Sequence, residues 1–255
     1  MSLNKAIFNW SGGKDSALAL YKILQKKEFE VQTLLTSISQ KFQRISMHGV
    51  RKELLVQQAK SIGLPLTIME VPEMPTMESY ETAMRNTLQP LVDQGAEASI
   101  FGDIFLEDLR SYRENKLTEI RLKGIFPIWK QPTPDLIREF IDLGFKTVTT
   151  CVNEKYLDQS FAGRVIDEDF LKELPKNVDP CGENGEFHTF VFDGPLFSNP
   201  ISYSIGETVY RKYEAPKKII PTIVSRTITK RRSLCLWILV YRFDSNLVIK
   251  IKQRI

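Results

Sequence analysis

Six consecutive residues near the start of the chain combine the groups that a phosphate-binding site needs. The hexapeptide is Ser11, Gly12, Gly13, Lys14, Asp15 and Ser16. Its glycines let the backbone approach a bulky anion, and its hydroxyls and ammonium add hydrogen-bond donors and positive charge. A carboxylate does not suit a site built only for anions. Asp15 therefore predicts that a Mg²⁺ ion binds together with the phosphates, with Asp15 as its ligand.

The segments on either side of the hexapeptide place it at the end of a strand and the start of a helix. Residues 6–10 form a short apolar run, and residues 17–27 carry apolar side chains at helical spacing. Such a junction points backbone N–H groups outward at the positive end of the helix dipole, which makes an anion site. The alternative is an ordinary glycine turn in which Asp15 or Ser16 caps the helix.

Two common nucleotide-binding motifs do not occur in the chain, which has neither a GxxxxGK(S/T) loop nor a GxGxxG sequence. The hexapeptide instead resembles the pyrophosphate-binding loop (PP-loop) of the ATP pyrophosphatases. Those enzymes cleave ATP between its α and β phosphates and adenylate a substrate. The resemblance implies that ATP and Mg²⁺ bind at this loop.

Strands and helices alternate through the first half of the chain. Hydrophobic patterning predicts strands at 6–10, 31–38, 66–71, 99–103 and 125–129, and helices at 17–27, 53–62, 78–92 and 107–123. This order predicts a doubly wound parallel α/β sheet, of the HUP (adenine nucleotide α-hydrolase-like) type. Ligands bind beyond the carboxyl ends of such strands. The hexapeptide, Ser37, and the pair Gly102 and Asp103 fall there.

The pattern changes near Gln131 and Pro132, where we place a domain boundary. A helix at 133–144, a strand at 146–152 and a short helix at 167–174 are predicted after it, followed by a loop at 175–185. The predicted organisation is an ATP-binding PP-loop domain at 1–130, a smaller substrate-binding α/β domain at 131–216, and a basic tail of uncertain structure at 217–255.

A second motif, from Asp179 to Thr189, lies in and just after that loop. Its sequence DPCGENGEFHT is similar to the GE-x-GE-x-x-T signature of the diphthine–ammonia ligase family. Three further segments match the family in the expected order: Arg44–Arg51, Phe101–Ile104 followed by Arg113 and Glu114, and Gly124–Trp129. With the PP-loop, the matching segments run through most of the chain up to about residue 205.

This resemblance implies an ATP-dependent amide ligase. In the family, a substrate carboxylate attacks the α-phosphate, pyrophosphate leaves, and ammonia then displaces AMP to form an amide. The residues implied as catalytic are Lys14, Asp15, Glu183 and Glu186. The nucleotide contacts implied are the hexapeptide, Ser37, His48, Gly102 and Asp103. The substrate contacts implied are Arg113, Glu114, Gly182, Glu183, Gly185, Glu186 and Thr189.

The residue types suit this chemistry, although each has a plainer interpretation. Lys14 would neutralise phosphate charge, and Glu183 or Glu186 would bind ammonium and take its proton. The two glutamates could instead be solvated charges of a glycine-containing loop. His48 could be a capping or core histidine, and Asp103 could cap a helix. Structural roles are expected for His188, which stands where the signature varies, and for Cys181, because this chemistry needs no thiol.

The resemblance supports the reaction type better than the acceptor. Diphthine is a modified histidine of elongation factor 2 in archaea and eukaryotes, whereas the motif variant in this chain resembles bacterial relatives. The predicted partners are therefore ATP, ammonia and a carboxylate on a protein side chain or a small molecule. Two alternatives stay open: another PP-loop chemistry, such as tRNA thiolation or lysidine formation, and a module that binds ATP without turning it over.

Composition predicts a cytoplasmic globular protein. The 255 residues are 42% hydrophobic and 26% charged, the first five show no signal peptide, and no apolar run reaches the roughly 20 residues of a membrane span. Cys151, Cys181 and Cys235 are odd in number and far apart, so they predict neither a disulfide framework nor a metal site.

Charge is unevenly distributed along the chain. Residues 217–255 hold ten Lys/Arg and one acid, whereas the other residues hold 25 basic and 30 acidic side chains. The net negative charge of the residues before 217 argues against a nucleic-acid partner. A homodimer is a further predicted partner state. The tail matches nothing in the family. An additional β-hairpin or a sequence read out of frame is favoured over a nucleic-acid arm. The chain beyond about Ser225 is expected to be dispensable for ATP binding.

Overall fold

The first half of the chain builds a parallel sheet with its first strand in the middle. The computed structural model describes residues 3–45, 49–72, 75–214 and 233–239. The elements of this half are β1 (Asn4–Asn9), α1 (Lys14–Lys26), β2 (Phe29–Ser39), α2 (Lys52–Ile62), β3 (Leu66–Val71), α3 (Met77–Asp93), β4 (Ala96–Ile100), α4 (Glu107–Glu119) and β5 (Lys123–Ile125). The strand order is β3-β2-β1-β4-β5, and all neighbouring strands are parallel.

Helices cover both faces of this sheet. Along β1, Ala6 and Phe8 belong to a core cluster shared with α1 and α2, whereas Ile7 belongs to a second cluster shared with α3 and α4. Successive side chains of a strand point to opposite faces, so a strand buried on both faces reads as one continuous apolar run. The predicted doubly wound α/β fold is confirmed.

The second half of the chain contributes an antiparallel sheet. Its elements are α5 (Thr133–Asp142), β6 (Lys146–Asn153), a 3₁₀ turn (Gln159–Phe161), α6 (Glu168–Glu173), β7 (Phe187–Asp193), β8 (Thr208–Glu214) and β9 (Ser233–Leu239). The order is β7-β6-β9-β8, with every neighbouring pair antiparallel. The predicted α5, β6 and α6 are present, whereas β7 and β8 were not predicted. The tail contributes β9, which pairs with β6 and β8. The domain boundary at residue 131 stays a prediction.

Several predicted boundaries in the first half of the chain were wrong. α1 begins at Lys14 and not at residue 17, so the last three residues of the hexapeptide are helical. β4 ends at Ile100, so Gly102 and Asp103 lie in the loop beyond the strand. α4 ends at Glu119, because Arg121 adopts a left-handed conformation (φ 62°) that a helix cannot continue through. β5 lies at 123–125 instead of 125–129, since Pro127 has no N–H to donate to a sheet. Within the described residues, no helix is long and apolar enough to cross a membrane.

Candidate active site

A cavity of about 490 Å³ opens where the carboxyl ends of β1, β2 and β4 meet the 179–189 loop. The strand order reverses beside β1, which is where open α/β sheets bind ligands. Residues of both sequence motifs line this cavity. The predicted site residues in its lining are Ser11, Gly13, Lys14, Asp15, Ser16, Ser37, Gly102, Asp103, Arg113, Gly182, Glu183, Gly185 and Thr189.

Three predicted site residues lie away from the cavity lining, and a fourth is not among the described residues. Gly12, Glu114 and Glu186 do not belong to the described lining of the cavity. The carboxylate of Glu114 accepts a hydrogen bond from Arg110 Nε at 2.8 Å, one helical turn away on α4. His48 lies outside the described residues, so its nucleotide contact stays a prediction.

The start of α1 is held by hydroxyl groups from both halves of the chain. Gly13 is the N-cap residue and has no side chain with which to cap the helix. The N–H of Lys14 donates instead to Thr189 Oγ1 at 3.0 Å. Ser11 Oγ donates to Ser16 Oγ at 3.0 Å, and Ser16 Oγ donates to the Gly13 carbonyl at 2.9 Å. The two serines therefore brace the loop, and β7 supplies the helix cap.

Lys14 and Asp15 form an ion pair at the cavity wall. Lys14 Nζ donates to both carboxylate oxygens of Asp15 at 2.7 Å. The side chain of Lys14 is 3% exposed and that of Asp15 is 28% exposed, so the carboxylate is the more accessible partner. Burial opposes the charge on Lys14, but the carboxylates of Asp15 and Glu183 outweigh it and raise the pKa of Lys14. Lys14 therefore stays charged, and its ammonium favours the ionised forms of the Asp15 and Glu183 carboxyl groups.

Glu183 is a half-buried acid in the same cavity. Burial, and after it the negative charge of Asp15, raise the pKa of Glu183 to about 8, although Lys14 opposes that rise. A carboxyl of this strength exchanges its proton near neutral pH, which an ordinary glutamate does not. The arrangement therefore creates a group suited to acid–base chemistry.

Glu186 has the opposite character. Its side chain is 1% exposed, and its carboxylate accepts hydrogen bonds from Asp179 N at 3.1 Å, Asn184 N at 2.8 Å and Asn184 Nδ2 at 3.1 Å. A buried carboxylate that accepts three hydrogen bonds from its own loop, and that does not line the cavity, fixes the loop backbone and is not exposed to a ligand there. The second glutamate of the motif therefore holds the loop that carries Glu183.

Arg113 reaches the cavity from α4 and pairs with Asp103, from the loop after β4. Its guanidinium also lies 4.5 Å from the ring centroid of Phe101. An arginine held by a carboxylate and an aromatic face is fixed in orientation while keeping donors for a further anion. The structure thus brings together two residues that the sequence assigned to different ligands, Asp103 to the nucleotide and Arg113 to the substrate.

Cys181 and His188 also line the cavity, and both are held in their uncharged forms. Burial raises the pKa of the Cys181 thiol, whose Sγ lies 3.4 Å from the Thr133 carbonyl. Burial and the Lys14 ammonium lower the pKa of His188 to about 4. Neither a neutral thiol nor a neutral imidazole adds charge to the site. The structural roles expected for both residues stay predictions.

The comparisons with known proteins match both halves of the chain. A model of the diphthamide synthase N-terminal domain matches residues 4–124, and one of the diphthamide synthase C-terminal domain matches residues 132–219. Together they cover the PP-loop and the 179–189 loop. The chain belongs to the diphthamide synthase family.

Curated relatives of this diphthamide synthase family member carry the name diphthine–ammonia ligase. The human protein is 33% identical over 116 residues, which are 43% of each chain. The Schizosaccharomyces pombe protein is 30% identical over 137 residues, 49% of this chain and 23% of that protein. The match spans less than half the length of these relatives. Among solved structures, the U34-tRNA thiolase NcsA of Methanococcus maripaludis is 16% identical, with a TM-score of 0.34 over 56% of this chain and 59% of that chain.

In this family member, sequence reasoning missed Gln58, which joins the PP-loop to β7. Gln58 lies on α2 and is fully buried. Its Nε2 donates to the carbonyls of Gly12 at 3.0 Å and Val191 at 2.6 Å, and its Oε1 accepts from Trp10 Nε1 at 2.9 Å. No pattern in the sequence indicates this role, because a glutamine on a helix is usually solvated.

Sequence reasoning also missed an apolar side of the cavity, formed between the sheet and α3 and α4. The lining there includes Leu35, Met69, Tyr80, Met84, Leu88, Phe101 and Leu117. Patterning assigned these residues to the core, which most of them also fill. Asn9 adds a polar group, since its Nδ2 donates to Ser99 Oγ at 2.8 Å and to the Ile100 carbonyl at 2.9 Å. This side can accommodate the uncharged part of a ligand.

The donor set fits a Mg²⁺ ion that arrives with a nucleotide. Within the described ranges, no group of three or more His, Cys, Asp or Glu side chains is placed to hold a metal ion. Mg²⁺ is commonly bound through one or two carboxylates and completes its shell with water and phosphate oxygens. The partly exposed carboxylate of Asp15, which Lys14 holds in this structure, would provide one such ligand.

Proposed function

We propose that this protein is an ATP-dependent amide ligase. A substrate carboxylate attacks the α-phosphate of ATP and forms an acyl adenylate with release of pyrophosphate. Ammonia then attacks the acyl carbon, and AMP leaves with the electron pair of the broken C–O bond. One observation carries the proposal: the PP-loop and Glu183 line the same cavity although they are far apart in sequence. Phosphate binding and proton transfer therefore fall within one site.

The nucleotide phosphates are assigned to the N-terminus of α1. N–H groups at a helix N-terminus, together with the helix dipole, favour anions. The loop after β4 packs directly against this point, since a Cβ on Gly102 would lie 2.9 Å from Ser16 N and 3.0 Å from the carbonyl carbon of Asp15. Gly102 therefore serves close packing, while Asp103 and Ser37 line the cavity beside the phosphates.

Asp15 is the residue that would hold Mg²⁺. Its carboxylate is partly exposed, whereas its partner Lys14 is buried. When bound with the nucleotide, the ion supplies charge neutralisation for the phosphates. The ammonium of Lys14 attracts the carboxylate of Asp15 and opposes, without cancelling, the rise in the pKa of Glu183 that burial and Asp15 cause.

Glu183 is assigned to the ammonia step. Ammonium must lose a proton before its nitrogen can act as a nucleophile, and a positioned carboxylate can both bind the cation and accept that proton. A base with a pKa near 8 is stronger than an ordinary carboxylate and is still partly ionised near neutral pH. Glu186 is left out of the chemistry because its oxygens are used within the loop.

Arg113 is assigned to the acceptor carboxylate. Its guanidinium lines the cavity, and such a group binds carboxylates with paired hydrogen bonds. Glu114 is paired with Arg110 and is assigned a supporting role instead of a substrate contact. Because the curated relatives are named diphthine–ammonia ligase, diphthine on elongation factor 2 is the first acceptor to test. Such an acceptor would place the protein in the cytoplasm.

The experiment incubates the full chain with ATP, Mg²⁺, ¹⁵N-ammonium and elongation factor 2 carrying diphthine. The expected products are AMP and pyrophosphate in equal amounts, with ¹⁵N incorporated into the acceptor as an amide by mass spectrometry. Unmodified elongation factor 2 is the control acceptor. ADP and phosphate as products would contradict the adenylation step. ATP binding without turnover for either acceptor would favour a non-catalytic ATP-binding module.

A further inference from the structure

Thr189 joins the second sheet to the phosphate site. It lies on β7, its side chain is 4% exposed, and its Oγ1 accepts from the N–H of Lys14 at 3.0 Å. Two residues further along β7, the N–H of Val191 donates to the Gly12 carbonyl at 2.9 Å. β7 thus lies along the PP-loop, although 175 residues separate Lys14 from Thr189 in the sequence.

The hydroxyl of Thr189 has hydrogen-bonding capacity that the protein does not use. A hydroxyl carries one donor and two acceptor positions. The Oγ1 atom accepts one hydrogen bond, from the N–H of Lys14. Among the described residues, none accepts the hydroxyl proton of Thr189. Because Thr189 also lines the cavity, this O–H donor is available to a ligand there.

Thr189 can pack close to the PP-loop because residue 13 is a glycine, which has no side chain. A Cβ on Gly13 would lie 3.2 Å from both Oγ1 and the carbonyl oxygen of Thr189. Such contacts are tighter than ordinary van der Waals packing, so a side chain at position 13 would push β7 away from α1. The second glycine of the hexapeptide therefore permits the approach of Thr189 as well as that of an anion.

We propose that Thr189 is a phosphate-binding residue of this site. Its oxygen caps the start of α1, and its O–H donates to a phosphate oxygen of the nucleotide, so both sheets build the anion site. This inference rests on the proposed function only in taking a nucleoside triphosphate as the ligand. It replaces the acceptor contact expected for Thr189. A residue that only capped the helix would stabilise the fold without distinguishing ligands that carry phosphates from those that do not.

The test measures equilibrium binding of ATP·Mg²⁺ and of adenosine by calorimetry on the full chain. Thr189→Val keeps the shape and removes the hydroxyl, and Thr189→Ser keeps the hydroxyl. The valine variant is expected to lose roughly tenfold to a hundredfold in ATP affinity, the usual effect of one hydrogen bond to a charged group. Its adenosine affinity is expected to stay within about twofold of the parent. The serine variant is expected to bind both ligands like the parent.

Thr149→Val is the matched control. Thr149 is paired with Thr189 in the β6–β7 register and is equally buried, but its hydroxyl donates to the Phe161 carbonyl. It therefore reports the loss of a buried hydroxyl from the same sheet without loss of a ligand contact. Unchanged ATP affinity in Thr189→Val, or equal losses for ATP and adenosine, would overturn the proposal.

A second measurement needs no variant. The wild-type chain with ¹³C-labelled threonine methyl groups is titrated with inorganic pyrophosphate, and the Thr189 methyl signal is expected to shift while that of Thr118 on α4 stays in place. No shift of Thr189 at saturation would overturn the proposal. Both measurements report binding, so absence of amide formation in the enzymatic assay leaves their outcome unaffected.

Discussion

Glu183 and Glu186 lie three positions apart in one loop, yet their carboxylates have different surroundings. Glu183 lines the cavity near Asp15 and Lys14, whereas Glu186 is enclosed by the backbone of its own loop. The sequence could indicate that both belong to a site, because a motif shows which residues occur together. It could not separate their roles, since those depend on which donors the folded loop turns toward each carboxylate.

The first prediction concerns the pH dependence of the ammonia step. Only ionised Glu183 can take a proton from ammonium, so the rate of amide formation should fall about tenfold per pH unit below a pKa of about 8. Glu183→Gln should lose most ammonia-dependent amide formation but keep hydroxamate formation with hydroxylamine, which is already neutral near pH 7. Glu97→Gln, at an exposed position of β4, is the control. Equal loss with both nucleophiles would contradict a role as base.

The same titration should be visible in stability. Unfolded Glu183 ionises near pH 4.5, as an ordinary glutamate does, whereas the raised pKa of folded Glu183 keeps its proton bound up to about pH 8. The folded state therefore binds more protons across this window, and its contribution to stability falls as the pH rises through it. Thermal unfolding of the free protein should show a steeper decline between these pH values than that of Glu183→Gln. Parallel curves would show that Glu183 titrates normally.

A second prediction concerns Asp15. Asp15→Asn keeps the size of the side chain but removes the charge that would hold Mg²⁺, and we expect AMP formation to fall by about a hundredfold or more. Asp135→Asn is the matched control, because Asp135 is also an acid in the first turn of a helix, α5, but is exposed. AMP release and thermal unfolding are measured together. Near-normal AMP formation by a folded Asp15→Asn would show that the PP-loop has been wrongly assigned.

Elements of the parallel sheet were largely predictable, whereas those of the second sheet were only partly so. The first four strands and helices have apolar runs separated by clear turn residues, and Gly63 stands where a helix end is expected. β7 has no alternation of polar and apolar residues, because four of its seven residues (Phe187, Thr189, Phe190 and Val191) are buried and they lie on both faces of the strand. A motif within the same segment marked it for chemistry and did not indicate that it was a strand.

The third prediction concerns the contact between these elements. Gln58→Leu leaves the Trp10 indole N–H and the carbonyls of Gly12 and Val191 without their present partner. An unsatisfied buried polar group costs about 1–3 kcal/mol, and the Val191–Gly12 bond compensates only part of the loss. We expect about 3 kcal/mol of destabilisation in denaturant unfolding. Gln57→Leu, at the neighbouring half-buried position of α2, should change stability by less than about 0.5 kcal/mol. Similar effects of the two substitutions would contradict a bridging role.

At the scale of the whole molecule, the candidate site is assembled from two segments that are far apart in the sequence. The PP-loop follows the first strand, and the loop with Glu183 precedes β7, whose backbone and Thr189 contact the PP-loop. Motif order predicted that these segments act together. The contact between β7 and the PP-loop was not predictable, because no local sequence pattern indicates which strand lies against a loop 175 residues away.

The final prediction concerns the tail. A chain that ends at Val224 lacks β9, which leaves β8 without a paired strand and β6 with β7 alone. We expect thermal unfolding at least about 5 °C lower, the effect of a loss of about 2 kcal/mol in a chain of this size. ATP affinity should stay within about twofold, because β7 reaches the PP-loop through its own residues and keeps its pairing with β6.

A matched variant separates strand pairing from charge. Replacement of Lys230, Arg231 and Arg232 by Gln in the full chain removes three positive charges but keeps the β9 sequence, so it should melt like the parent at moderate salt. An unchanged melting temperature in the truncation would contradict the pairing of β9 with β6. A tenfold loss of ATP affinity in a folded truncation would show that the tail helps to build the site. Salt-sensitive tRNA binding that disappears with the tail would instead support a nucleic-acid function, because phosphate contacts made by lysine and arginine weaken steeply with salt.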